Sequence, residues 1–234
     1  MRWRRSHESE VGAMDEVVGA FTGPGDIVNQ SIGGVRGHIL RRAIHLSMAA
    51  VPIAYYWHGD AIGGALGITK EQIAASVILA LLAFEVVRLS LGFTVFGQRA
   101  YESKQISALA WGGLAVGLTL LIAPSMGTSP REAAALGFPL IMSLVLGDPL
   151  LGELRRTGMT RSRVIAVSVV AMMILWSVCA SWLGTPWLLV VVLAPLTVIS
   201  EWPRLTYIDD NATMLLIPLA AVLVLDPFFA WSVG

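Results

Sequence analysis

Seven continuous apolar runs constrain this chain more than anything else in it: about 39–57, 72–96, 106–123, 132–151, 163–183, 185–200 and 212–231. Most approach the ~20 residues with which an α-helix crosses the ~30 Å hydrocarbon core of a bilayer. The runs are apolar throughout and do not alternate, which excludes a membrane β-barrel. In lipid, each span must satisfy its own backbone N–H and C=O groups, and a helix does so internally. Charge agrees: 14% of the 234 residues are charged, against about 25% in soluble domains. The expected fold is all-α, a polytopic transmembrane bundle of about seven spans. Net charge is zero, which excludes a generally basic nucleic-acid binder. Cys179 is the sole cysteine, so no internal disulfide is available.

The chain divides into a tail, residues 1–37, and a membrane domain, 38–234. In the tail, Met1-Arg2-Trp3-Arg4-Arg5 is basic but precedes no signal-type apolar core. Val11, Met14, Val18 and Phe21 have rough helical spacing up to Gly23-Pro24-Gly25, which reads as an interfacial helix or a loose tail. The sixth run shares a tight Gly184-Thr185-Pro186 turn with the fifth, so the two form a hairpin. Of the 16 Lys and Arg residues, 13 fall on the side of the N-terminus; Lys70 and Arg131 fall on the other, and Arg88 inside a span. By the positive-inside rule the N-terminus is cytoplasmic, and seven spans put the C-terminus outside. Nearly every polar cluster lies on the same cytoplasmic side, so any chemistry faces the cytoplasm of a multi-pass membrane protein.

Five clusters carry that chemistry. Arg41, Arg42 and His45 share a helix face at spacings of four and three; arginine forks match phosphate oxygens, or the pair anchors the span and His45 is a core histidine. Glu85 and Arg88 lie inside the second span, three apart and able to pair. They read as a structural ion pair, or as a phosphate ligand and the group orienting it. The fourth span offers about 22 Å from Glu132 to Leu146 before Gly147-Asp148-Pro149. That break would fall within membrane depth, with Asp148 capping a new helix and free to hold Mg²⁺. Arg155, Arg156, Arg161 and Arg163 set topology or attract a nucleotide. Last comes the hinge Glu201 to Pro218. There Asn211 or Asp210 caps a helix from about Ala212; the hinge reads as a solvated loop with a good cap, or as two carboxylates beside a helix start that hold a hard cation, with the amides facing a phosphate. No Cys/His metal spacing, Walker loop or Ser/His/Asp arrangement is present.

Taken in order, these motifs resemble the CTP-dependent membrane lipid kinases: dolichol, phytol and farnesol kinases and the CTP-dependent diacylglycerol kinase, with phosphatidate cytidylyltransferase more distant. Arg41-Arg42-Ala43-Ile44-His45 is similar to the family's R-K-x-x-H. Phe84-Glu85-Val86-Val87-Arg88 is similar to its E-x-x-R, and Arg99 to Ser107, with Glu102, to the loop that follows. Leu144-Val145-Leu146-Gly147-Asp148 matches its G-D element, and Glu201 with Asp209-Asp210-Asn211 and Pro218 its closing motif. Pro149 stands where the family has alanine, and Arg155-Arg156-Thr157-Gly158-Met159-Thr160-Arg161 where it has K-S-x-E-G-S. The resemblance implies phosphoryl transfer from CTP to an isoprenoid alcohol. It implies Asp148, Asp209 and Asp210 as Mg²⁺ or nucleotide groups, and Arg41, Arg42, His45, Arg88, Gly147 and Asn211 as nucleotide-binding. Glu201 or Glu85 would take the alcohol's proton. A cytidylyltransferase acting on a lipid phosphate is the alternative enzyme. A transporter would need polar groups on both sides of the midplane and repeated broken spans, and a scaffold would need none of the carboxylates.

Overall fold

The structure, a computed structural model, describes residues 31–203, 205 and 208–229. The interfacial helix expected between Val11 and Phe21 lies outside the described residues. Nine α-helices are described: α1 Gly34–Ser47, α2 Ala50–Ile53, α3 Gly59–Leu66, α4 Lys70–Leu91, α5 Ala108–Ile122, α6 Pro130–Arg156, α7 Arg161–Leu183, α8 Trp187–Ile199 and α9 Asp210–Phe229. A π-turn, Ala54–His58, joins α2 to α3, and a 3-10 turn, Ala100–Lys104, precedes α5. Among the described residues the nearest thing to a strand is one bridge, Ser31 with Arg99. Four helices, α4, α6, α7 and α9, are long and apolar enough to cross a membrane, while α5 and α8 are apolar but shorter.

The first apolar run is not one straight span. Helices α1 to α3 form a jointed rod whose joint lies at Met48 and Ala49, because Pro52 cannot donate to the Met48 carbonyl and its ring crowds it. The rod ends at Gly67 (φ 72°), and α4 starts on a capping box between Thr69 and Gln72. Ser107 and Ser129 cap α5 and α6 in the same manner, each oxygen accepting a free first-turn amide. Gly184 (φ 82°) ends α7 and lets α8 turn back at once, the hairpin read from the sequence. Thr185 fastens that turn by donating to the Ala135 carbonyl at 2.6 Å.

Helix α6 is the centre of the bundle. Of its apolar window 72% is buried, against 11% for α4 on the rim. Lipid tails are as apolar as leucine, so helices associate through close contact of small residues and not through water exclusion. Ala134, Ala135, Gly137 and Gly147 supply that contact on α6. Trp176 of α7 is wholly buried and donates to Ser143 at 2.8 Å; Ser143 in turn donates to the Pro139 carbonyl. Trp57 stacks on Trp182 with centroids 5.5 Å apart, and Phe138 meets both edge-on, joining the rod to α6 and α7.

The expected break in the fourth span is absent. Helix α6 runs unbroken for 27 residues through both Pro139 and Pro149. A helical proline forfeits one hydrogen bond and crowds one carbonyl, which α6 tolerates with most of its apolar stretch buried against its neighbours. Asp148 therefore caps nothing and projects from the middle of a helix. Gly147 is a packing glycine: a Cβ there would come within 3.1 Å of Met214 and 3.4 Å of Met172.

Candidate functional site

Arg42 and His45 on α1 meet α6, while Arg41 of the same face turns to Glu102. Arg42 donates to Asp148 at 3.1 Å, and His45 Nε2 lies 3.2 Å from the Leu144 carbonyl and 3.7 Å from the same aspartate. Gly152, one turn beyond Asp148, makes the approach possible, since a Cβ would stand 2.6 Å from an Arg42 nitrogen. Its spacing of four from Asp148 is the signal that could have singled it out.

Glu85 and Arg88 form a latch. Arg88 has five N–H donors, and all five are used: two on Glu85 at 2.8 and 2.7 Å, the others on the carbonyls of Phe93 (3.1 Å), Glu102 (2.6 Å) and Gln105 (2.7 Å). Glu85 also accepts from the amide and hydroxyl of Ser107, at 2.6 and 3.1 Å. Arg88 has no donor left for a phosphate, and both Glu85 oxygens are occupied. The phosphate role for Arg88 and the proton-accepting role for Glu85 therefore give way to the structural reading. The pair holds the connection between α4 and α5 in place. That connection places Glu102, which accepts from Arg41 at 2.8 Å.

The hinge between α8 and α9 supplies the remaining acids. Helix α9 begins at Asp210, and its cap is Asp209, which accepts from the Asn211 amide at 3.1 Å. The expected cap, Asn211 or Asp210, is displaced by one or two residues, and Asp210 and Asn211 are left to face the cavities. Burial, reinforced by Asp210, raises the Asp209 carboxyl to about 7. Burial likewise pushes Glu201 up to about 8, opposed by Arg155 and reinforced by Asp210 and Asp148. Arg155 donates to one Glu201 oxygen at 2.6 Å; the other oxygen is buried without a partner among the described residues. Trp202 lies under the guanidinium groups of Arg155 and Arg161, 4.7 and 4.2 Å from its ring centre.

These side chains line three neighbouring spaces that share bordering residues. An open cleft of about 700 Å³ is bordered by Arg99, Arg155, Arg161, Glu201, Asp209 and Asp210. A polar throat of about 60 Å³ adjoins it, sharing Arg99 and Asp210 and adding Arg42, His45, Asp148 and Asn211. Beyond the throat, sharing Arg41, His45 and Asn211, lies a space of about 100 Å³ walled by Ile44, Val95, Phe96 and Leu109. Of the expected site residues, Arg41, Arg42, His45, Asp148, Glu201, Asp209, Asp210 and Asn211 thus converge. Gly147, Glu85 and Arg88 border none of the three. Arg99 and Gly152 are gains: Arg99 was read as part of a loop motif, and nothing about it in isolation says that it borders two cavities.

Among the described residues no group of three or more His, Cys, Asp or Glu could hold a metal ion. The expected triad of Asp148, Asp209 and Asp210 is not gathered as a cage, because Asp148 is turned toward Arg42. Mg²⁺ commonly takes one or two carboxylates and completes its shell with water and substrate phosphates, a demand that the adjacent Asp209 and Asp210 fit. Compared with protein-family models, curated proteins and solved structures, the chain matches none.

Proposed function

We propose that this protein is an integral-membrane lipid kinase that moves a phosphoryl group from CTP to the hydroxyl of an isoprenoid alcohol. One observation carries the reading: Asp210 and Asn211, at the start of α9, stand where a wide wet cleft, a narrow polar throat and an apolar space meet. A reaction between a polar donor and a lipid needs such a junction, because neither substrate can enter the other's solvent cheaply. In this reading the chain crosses the membrane seven times, and the cleft opens to the cytoplasm.

Phosphoryl transfer asks a protein chiefly for positioning and charge neutralisation. Arg99, Arg155 and Arg161 border the cleft and hold the triphosphate. Asp209 and Asp210 would hold Mg²⁺, which when bound neutralises charge on the transferring phosphates. His45 and Asn211 orient the alcohol at the throat. Its oxygen attacks the γ-phosphorus; the new O–P bond forms as the bond to the β-phosphate oxygen breaks, and CDP leaves. The alcohol's proton passes to a carboxylate. Asp210 borders both the cleft and the throat, and Glu201 has a buried oxygen with no partner among the described residues and an affinity for protons near neutrality, the range that suits a general base.

The experiment is direct. Purified protein with labelled CTP, Mg²⁺ and a prenol should yield prenyl phosphate, and Asp210→Asn should abolish the product while leaving the fold intact. Transfer of CMP to a lipid phosphate would select the cytidylyltransferase instead. If Asp148→Asn and Asp210→Asn change no activity of any kind, the enzyme reading is wrong.

A further inference from the structure

The rod α1–α3 and helix α4 are tied together at both ends. At the polar end the tie runs through the connection that follows α4: the Ile32 amide, just before α1, donates to the Gln98 carbonyl at 2.8 Å, and Arg41 meets Glu102. At the other end Lys70 donates to Asp60 at 3.0 Å and lies over the Tyr55 ring. Between the ties a groove opens sideways through the wall of the bundle. Its lower part, about 310 Å³, is bordered by Val51, Tyr55, Ile73, Val77 and Val116. Its upper part is the apolar space beside the throat, and Met48 borders both. The floor is α5, where Gly113 and Gly117 let Leu81 and Ile78 of α4 press against the helix; a Cβ at either glycine would strike them.

We propose that this groove holds the single hydrocarbon tail of the acceptor lipid, with its hydroxyl end at His45 and Asn211 and its tail running down α5 toward Tyr55. This rests on the lipid-kinase reading of the throat and adds where the acceptor lies and how its length is sensed. Continuity decides the occupant. Another depression on the apolar surface, about 780 Å³ beside Val170, Ile174, Val178 and Trp182 of α7, is larger but is bordered by no charged residue. General lipid would fill that depression equally well. The groove between the rod and α4 shares Met48 with the space that His45 and Asn211 border, and so runs from hydrocarbon toward the reacting groups. From Leu109 to Leu120 the floor is about 17 Å long at 1.5 Å per residue, roughly half of a ~30 Å bilayer core. Binding should strengthen with tail length until that distance is filled and then level off.

The test uses the full chain in phosphatidylcholine nanodiscs with a prenyl alcohol bearing a photoreactive diazirine near its tail end. Adducts mapped by mass spectrometry should concentrate at Val77 and Val116 and be scarce at Val170 and Ile174. Val51→Trp and Val77→Trp fill the groove from opposite walls at exposed positions. Each should cut those adducts severalfold and raise KM for geranylgeraniol while leaving that for geraniol unchanged. Adducts spread evenly round the bundle, or indifferent to both tryptophans, overturn the groove. Localised adducts without any prenyl phosphate uphold the groove and sink the kinase. Phosphorylation with one KM for every tail length in both variants does the reverse.

Discussion

Arg88 and Glu85 show how a charged pair can survive inside an apolar helix. Every donor of the one and both oxygens of the other are matched, so desolvation is offset by seven hydrogen bonds. Removing one partner strands the other, which costs about 3–5 kcal/mol for a buried pair. Arg88→Met should therefore lower the unfolding temperature sharply, and Arg88→Met with Glu85→Met should recover much of the loss, as read by thermal unfolding in detergent. Recovery is the informative arm, since a ligand role would leave stability nearly untouched. At Glu201 and Asp209 the sign runs the other way from an ordinary acid. Their folded values, about 8 and about 7, lie above the ordinary 4.5 and 3.8. The stability they contribute is full below those ordinary values and is lost as pH rises through 7 and 8, because the unfolded chain releases its protons first. The melting temperature should fall between about pH 5 and pH 8, and Glu201→Gln, which cannot ionise, should flatten that slope. A slope unchanged in the variant would place the titration elsewhere.

Gly147-Asp148-Pro149 has every local mark of a helix break, yet α6 passes through it. Propensity is a weak prior, and tertiary contact overrides it: Gly147 is buried against Met172 and Met214, whatever its preference for turns. Capping behaved otherwise. Ser107 accepts from the Ala110 amide at 3.2 Å and at once donates to Glu85 at 3.1 Å. It thus starts α5 and ties that start to α4. Loss of a cap costs about 0.5–2 kcal/mol, and Ser107→Ala also strips a buried carboxylate of one partner. The expected outcome is destabilisation by about 2 kcal/mol in denaturant titration, with Ser107→Thr close to the parent. Asp209 was harder to foresee as a cap, since three consecutive residues, Asp209, Asp210 and Asn211, are all good caps and only the packed start of α9 chooses among them.

At the scale of the molecule, the polar groups gather at one end and the apolar faces along the flanks, so membrane topology has a simple check. Cys179 is buried and supplies a quiet background. Single cysteines placed at exposed Ser162, beside the arginines, and at exposed Thr128, at the far turn, should be labelled by a membrane-impermeant maleimide from opposite faces of sealed vesicles. Labelling of both from one face would refute the orientation. The apolar runs and the hairpin at Gly184 were legible in the amino-acid order alone, because each depends on residues within a few positions of one another. So were most of the acids and bases that converge, Arg99 excepted. Their partners were not: Arg42 and Asp148 are 106 residues apart, and Arg155 and Glu201 are 46 apart. Which arginine meets which carboxylate, which pair is consumed as a latch, and that an apolar groove leads to the throat all depend on how the helices lie against one another. Only the tertiary structure decides that, since side chains distant in sequence compete for the same few ångströms and packing selects among them.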